Sequence, residues 1–239
     1  MFDQRRIRQD FSRAAAQYDA HALLQQRVLA RLFGRVDPFI APDARILDAG
    51  CGTGQFAHIL KRRDVVQVDV SAAMCAEASR HSEWVACADM AVLPFADGCF
   101  DAVFSSLALQ WLPNVQAGLR EFERVVKPGG VVAVSTFGAS TLRELRASFA
   151  EVDDYPHVSP FIRPDISWQK ETVTEYFPDL RAIMQGLKAI GAGNKLAGRR
   201  KAMMPRGLMA QAEQFYREHF GADAGLPVTW EVLYRVERK

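Results

Sequence analysis

The chain has no dominant charge sign, no cysteine pairs at ligand spacing and no long apolar run. Its 30 basic and 28 acidic residues leave a formal charge of +2. No general field draws it to nucleic acid or a membrane, and a basic surface that meets a partner must be local. The four cysteines, Cys51, Cys75, Cys87 and Cys99, never stand closer than 12 residues. That excludes the C-x-x-C spacing of zinc and redox sites; no metal is expected, and a reducing cytoplasm is the expected compartment. No stretch reaches about 18 uninterrupted apolar residues, and the N-terminus has neither an apolar core nor a cleavage pattern, so neither a membrane span nor an export signal is expected. Repeats and low-complexity tracts are missing too. What remains, 239 residues of which 49% are hydrophobic and 24% charged, suits one large domain with an elaboration, and a monomer is expected.

The most informative stretch is Arg45-Ile-Leu-Asp-Ala-Gly-Cys-Gly-Thr-Gly54. A short apolar run ends in Asp48 and opens into Gly50, Gly52 and Gly54, which reads as a buried strand turning sharply into a helix. Glycines there can take positive φ and let a ligand lie against the backbone. A dinucleotide fingerprint needs G-x-G-x-x-G, but position 55 is Gln and the third glycine comes one residue early. The G-x-G-x-G pattern with an acid two residues ahead resembles motif I of class I S-adenosylmethionine (SAM) methyltransferases. A plain tight turn is the alternative.

Residues 3–36 read as helix, broken once or twice and closed by Asp37-Pro38. Tyr18, His21 and Gln25 fall on one helical face, which fits either a polar lid or an amphipathic helix docked on a sheet. Val65-Val-Gln-Val-Asp69 is a second strand whose terminal acid, 21 residues after Asp48, can accept ribose hydroxyls at a strand end or belong to the cap of the next helix. Strands at 84–87, 100–104 and 131–137 follow, with Asp89 placed to accept an adenine amino group and Met74 and Met90 to cover the ring. A helix at 115–126 ends at Lys127-Pro-Gly-Gly130. Strands at 168–177 and 228–236 and helices at 141–149, 178–190 and 205–220 complete an α/β chain.

Asp48-Ala-Gly-Cys-Gly-Thr-Gly54, Asp69-Val-Ser, Ala88-Asp-Met with Leu93-Pro-Phe, Phe100-Asp-Ala-Val and Val126-Lys-Pro-Gly-Gly130 together resemble the class I methyltransferase motifs. The resemblance implies a Rossmann-like fold: a seven-stranded, mostly parallel sheet with helices on both faces, an N-terminal helical lid (1–37), a SAM-binding core (40–137) and an acceptor cap with the final strands (138–239). The flanks Phe11-Ser-Arg-Ala-Ala-Ala-Gln-Tyr-Asp19, Leu107-Ala-Leu-Gln-Trp111, Ser140-Thr-Leu-Arg-Glu-Leu145, Pro156-His-Val-Ser with Phe161, and Leu187-Lys-Ala-Ile-Gly-Ala192 are similar to the malonyl-acyl-carrier-protein O-methyltransferases of biotin synthesis. Ser159, where that family usually has Asn, and the segment 196–207 depart from its pattern.

This second resemblance implies methyl transfer from SAM, with S-adenosylhomocysteine as product, to the free carboxylate of a malonyl group on acyl-carrier protein or coenzyme A. It implies cofactor contacts from Asp48, Gly50, Gly52, Gly54, Asp69, Val70, Met74, Asp89, Met90 and Leu107. A malonyl carboxylate is ionised at pH 7 and needs no general base, which agrees with the lack of an obvious His–Asp pair. Tyr18 and His157 are the candidates for positioning the reactants; Trp111, Arg143 and Arg163 are candidates for the acceptor site. Arg199, Arg200 and Lys201 belong to a basic cluster with Lys195 and Arg206, read either as a solvated loop or as steering for an acidic carrier protein. A methyltransferase acting on another small carboxylic acid and a non-catalytic SAM-binding protein are the rival readings.

Overall fold

The strand β1 (Arg45–Ala49) is buried from Ile46 onward, as an apolar run with no alternation requires when both faces are covered. It pairs in parallel with β2 (Asp64–Asp69) on one side and β4 (Phe100–Ser106) on the other. β3 (Val85–Cys87) and β5 (Val126–Phe137) extend the parallel part outward. β6 (Gln169–Phe177) and β7 (Leu226–Arg238) are antiparallel, and β7 inserts between β5 and β6, giving the order β3-β2-β1-β4-β5-β7-β6. The chain builds outward from β1 to β3 and then returns to the other side of β1. That reversal opens a crevice at the carboxyl ends of β1 and β4, where open α/β sheets bind ligands. The computed structural model describes residues 3–60, 64–162, 167–200, 202 and 204–239.

Alternate residues of each strand feed two cores. Ile46, Ala102, Phe104 and Ala133 pack with Leu32 and Phe56 on one face; Leu47, Val103, Val132 and Val134 pack with Leu119 and Phe122 on the other. The helices are placed by local signals. The broken N-terminal segment consists of α1 (Gln4–Ala14), capped by the Asp3 side chain on the Arg6 N–H, then α2 (Tyr18–His21) and α3 (Leu23–Gly34). α4 (Gln55–Ile59) follows the glycine turn, and α5 (Ala72–Ala78) is capped by Ser71. α6 (Val115–Val125) buries Leu119, Phe122 and Val125 in the second core; truncating Phe122 to Ala should cost about 3–5 kcal/mol. α7 (Arg143–Ala150), α8 (Leu180–Ala189, capped by Asp179 and stopped at Gly191) and α9 (Arg206–Phe220) complete the set.

The seven-stranded, mostly parallel sheet with its helices agrees with the sequence expectation. One boundary differs by more than about two residues. Lys127-Pro-Gly-Gly130 does not stand outside the fifth strand but lies within β5, which starts at Val126 opposite Phe100 and resumes at Val131 opposite Ala102 after a register shift. The Gly129 N–H and the Gly130 carbonyl bond the backbone of Lys239, so the chain end secures the stretch that reads as a turn. Among the described residues no helix is long and apolar enough to cross a membrane.

Candidate active site at the carboxyl ends of the strands

The three glycines after β1 all take positive φ, +82° at Gly50, +54° at Gly52 and +85° at Gly54, but for different reasons. A Cβ on Gly50 would meet the Cβ of Ala108 at 2.3 Å, and one on Gly54 the Cα of Ala78 at 2.9 Å. Both are small because the fold closes on them. Nothing lies within 4 Å of a Cβ on Gly52, so this residue presents bare backbone to open space. That space is a solvent-open pocket of about 460 Å³, bounded by Asp48, the glycine turn and Ser106 below and by Tyr18, Gln25 and Leu29 of the N-terminal helices above.

Asp69 closes β2 against the same turn. Its Oδ2 accepts the Gly52 N–H at 3.1 Å and its Oδ1 accepts the Ser71 N–H at 2.8 Å. Capping of α5 falls to the Ser71 hydroxyl, which accepts the Met74 N–H at 3.3 Å. The two readings of Asp69 are therefore separated by two residues. Burial raises the Asp69 carboxyl above its ordinary range, with the N–H groups of Ser71, Gly52 and Val70 opposing the rise. Asp48, 3% exposed, is pushed up to about 7 by burial, held back by the facing Gln67 amide and raised further by the Asp69 charge. Burial and the charges of Asp69 and Asp19 also raise the Tyr18 phenol, and burial raises the Cys51 thiol, so both are neutral at pH 7. Asp48 is thus the carboxyl of this cluster that changes protonation near neutral pH.

The N-terminal helices are bonded directly to this motif. The Thr53 hydroxyl donates to Asp19 Oδ1 at 2.5 Å, Ser12 and Ser71 share a hydroxyl hydrogen bond of 2.9 Å, and the Gln26 amide donates to the Asp19 carbonyl at 3.0 Å. Thr53 and Asp19 were not singled out from the sequence; their positions inside the glycine motif and beside Tyr18 are the signal that would have found them. Tyr18, Ala22 and Gln25 face the pocket, but His21 is exposed because the helix breaks at Ala22 and the face turns. Of the outer cofactor candidates, Met74 is buried in α5, and Met90 is half-buried with its Cε 3.0 Å from the Gly50 side-chain position. Asp89 is exposed and accepts the Ala91 N–H, Val70 is half-buried with its carbonyl accepting the Cys87 thiol, and Leu107 takes φ +50° after β4.

Residues 47–134 match a family described as a methyltransferase domain. A malonyl-acyl-carrier-protein O-methyltransferase of Laribacter hongkongensis is 37% identical over an alignment that covers 97% of this chain and 88% of the relative. The chain belongs to the malonyl-acyl-carrier-protein O-methyltransferase family. The biotin biosynthesis bifunctional protein BioHC of Cellvibrio japonicus is 35% identical over 98% of this chain, which corresponds to 50% of that longer protein. A solved candidate methyltransferase from Bacillus halodurans, 16% identical, shares the fold with a TM-score of 0.62 over 88% of this chain and 98% of its own.

The acceptor residues implied by the malonyl-acyl-carrier-protein O-methyltransferase resemblance are more scattered. Trp111 packs edge-to-face on Phe11 at 5.5 Å. Arg143, 65% exposed, turns to its neighbour Glu144, which is buried against Thr229; it does not line the pocket. His157 corrects the expectation that the chain has no His–Asp pair. Its Nε2 is 2.7 Å from Asp153 Oδ1, its ring stacks on Phe149, and Arg200 takes the other Asp153 oxygen at 3.0 Å. Burial opposes ionisation of Asp153, yet His157, the Tyr155 N–H and Arg200 together hold it below the usual carboxylate range. His157 is thus hydrogen-bonded to Asp153, which also meets Arg200, and does not line the pocket with Tyr18. The basic cluster is not one open patch either: Lys195 is fully buried, Arg200 is engaged with Asp153, and Arg199 donates to the Leu196 carbonyl. Arg163 and Lys201 lie outside the described residues.

Proposed function

We propose that this chain transfers the methyl group of SAM to the free carboxylate of a malonyl thioester on acyl-carrier protein, giving the malonyl methyl ester with which biotin synthesis begins. What carries the reading is the near-full-length likeness to a malonyl-acyl-carrier-protein O-methyltransferase, joined to the biotin-synthesis role in the name of the bifunctional relative. The strand-end pocket fits SAM on two counts. Gly52 leaves space that any side chain would fill, and Asp69, bonded to the Gly52 N–H at the strand end, is an acceptor suited to a ribose hydroxyl. Asp48, Gly50 and Gly54 are assigned to the floor, and Met90 and Asp89 to the adenine end of the cofactor.

When bound, SAM supplies an electrophilic methyl group. The residues have little proton chemistry to do, because a malonyl carboxyl is already ionised at neutral pH. Their work is to align the carboxylate with the methyl group, which can contribute several kcal/mol, and to strip water from it. Tyr18, kept protonated by burial beside Asp69, is a neutral hydrogen-bond donor suited to holding an oxygen anion, and the N-terminal helices that carry it act as the lid. Coenzyme A is the alternative carrier of the same malonyl group. Turnover of malonyl thioesters against free dicarboxylic acids tests the assignment: preference for the thioester is expected, and equal turnover of the free acids would replace it with a small-acid methyltransferase.

A further inference from the structure

One buried cation has no task in the reaction as proposed. Lys195, in the loop after α8, is 0% exposed, and its Nζ stands 2.7 Å from Oδ2 of Asp10 on α1, 185 residues away in sequence. The ammonium lies 5.6 Å from the Phe11 ring centroid and 5.9 Å from that of Trp111. Backbone and amide groups close the same seam: the Asp3 N–H donates to the Lys195 carbonyl at 2.9 Å, the Lys195 N–H to the Ser159 hydroxyl at 3.2 Å, and the Gln4 amide to the Trp111 carbonyl at 3.2 Å. Asp10 also meets Arg6 at 3.2 Å and Arg13 at 3.4 Å, but those side chains are 41% and 75% exposed. Burial lowers the ammonium's proton affinity and Asp10 restores part of it, while the charges of Arg6 and Arg199 add to the fall.

The partners differ in what they lose when the seam opens. Arg6 and Arg13 return to water at little cost, as exposed ion pairs do. Lys195 left without Asp10 is an unpaired charge among aromatic rings, the costly case. We propose that Lys195 is a positioning residue that, through its buried pair with Asp10, latches α1 to the loop after α8 and so fixes the Phe11–Trp111 wall on the acceptor side of the methyl-transfer site. The assignment of that wall to the acceptor rests on the methyl-transfer reading. The latch itself does not.

The test uses Lys195→Met, Asp10→Asn and the double variant, in the full chain. Two quantities are read: amide hydrogen exchange along the backbone, and kcat and KM for a malonyl thioester. Each single variant should speed exchange in residues 4–14 by about tenfold while β1 and β4 stay protected. Each should also raise the acceptor KM by about tenfold, with kcat changed by less than about threefold. The double variant should lose no more than the larger single loss in either quantity, since both substitutions remove the same contact. If Lys195→Met fails to fold, Asp10→Asn, which keeps the lysine stem in place, carries the comparison with the double variant. Wild-type exchange and KM in the single variants would overturn the latch. So would equal acceleration in β1, β4 and α1, which marks a purely global stability role, or losses that add in the double variant, which mark two independent effects. A wild-type protein that methylates no malonyl thioester would refute the methyl-transfer reading, with the exchange comparison still deciding the latch.

Discussion

The pocket floor and the seam between α1 and the loop after α8 are built in opposite ways. The floor comes from short stretches: β1, its three glycines and the acid that ends β2, with Asp69 and Gly52 joined across 17 residues by one hydrogen bond. The seam joins Asp10 to Lys195 across 185 residues by one buried charge pair. A floor set by backbone geometry tolerates almost no change at its few special positions, whereas a seam set by side chains opens when either partner is changed. Cofactor binding should therefore depend on the floor, and acceptor handling on the seam and the lid.

The largest break expected is Gly52→Val, which forces a β-branched residue to φ +54° and fills the pocket. Calorimetry should find SAM affinity reduced by more than about a hundredfold, a loss beyond about 2.7 kcal/mol. Gly129→Ala is the matched control. Gly129 also has positive φ and open space around its Cβ position but lies in β5 beside the chain end. It should lose about 1–2 kcal/mol of stability and no SAM affinity. Equal effects on binding from both variants would dissolve the distinction between floor and scaffold.

Asp69→Ala comes next. Hydrogen bonds to a charged acceptor contribute about 1.5–3 kcal/mol, so SAM should bind about tenfold to a hundredfold more weakly in a protein that still melts cooperatively. Unchanged affinity would remove Asp69 from the site. Tyr18→Phe should lower kcat by about tenfold, the worth of one hydrogen bond made in the transition state. SAM affinity should change by less than about threefold. A loss confined to SAM affinity would place Tyr18 on the floor instead of in the lid.

The Asp48 carboxyl allows a test by pH. Its folded pKa, raised to about 7, means that its favourable contribution to stability is complete below the ordinary carboxylate range and is lost as pH rises through about 7. One such proton gives a slope of at most about 1.4 kcal/mol per pH unit. Asp48→Asn should match wild type near pH 4, exceed it in urea denaturation at pH 8 and keep only the part of the slope due to Asp69. Identical pH profiles would show that Asp48 is not perturbed. The smallest effect belongs to Arg199→Gln, which should raise KM for malonyl-carrier protein about twofold to threefold at low salt, with the difference fading near 0.15 M as screening shortens to about 8 Å. A shift that persists at high salt would assign Arg199 to local structure, through its bond to the Leu196 carbonyl.

The same division explains what could be read from the sequence. β1, β2, β4 and the glycine turn were legible because burial on both faces and positive φ leave local signatures in apolar runs and glycine. The start of β5 was not, since Lys127-Pro-Gly-Gly130 bridges Val126, opposite Phe100, to Val131, opposite Ala102, and is bonded by Lys239, none of which marks the segment itself. The Asp153–His157 pair escaped notice because an i, i+4 contact is anticipated in helices and this one sits in a Pro-containing loop. Lys195 read as one more cation in a charge run; only the fold shows that it is buried against Asp10.

Methyl transfer is tested most directly by the intact mass of malonyl-acyl-carrier protein after incubation with this protein and isotopically labelled SAM. The expected result is the gain of a single labelled methyl group on the malonyl carboxyl, removed by mild ester hydrolysis and absent with Gly52→Val. An unmodified carrier from a protein that binds SAM, or a label found on any other group, would contradict it.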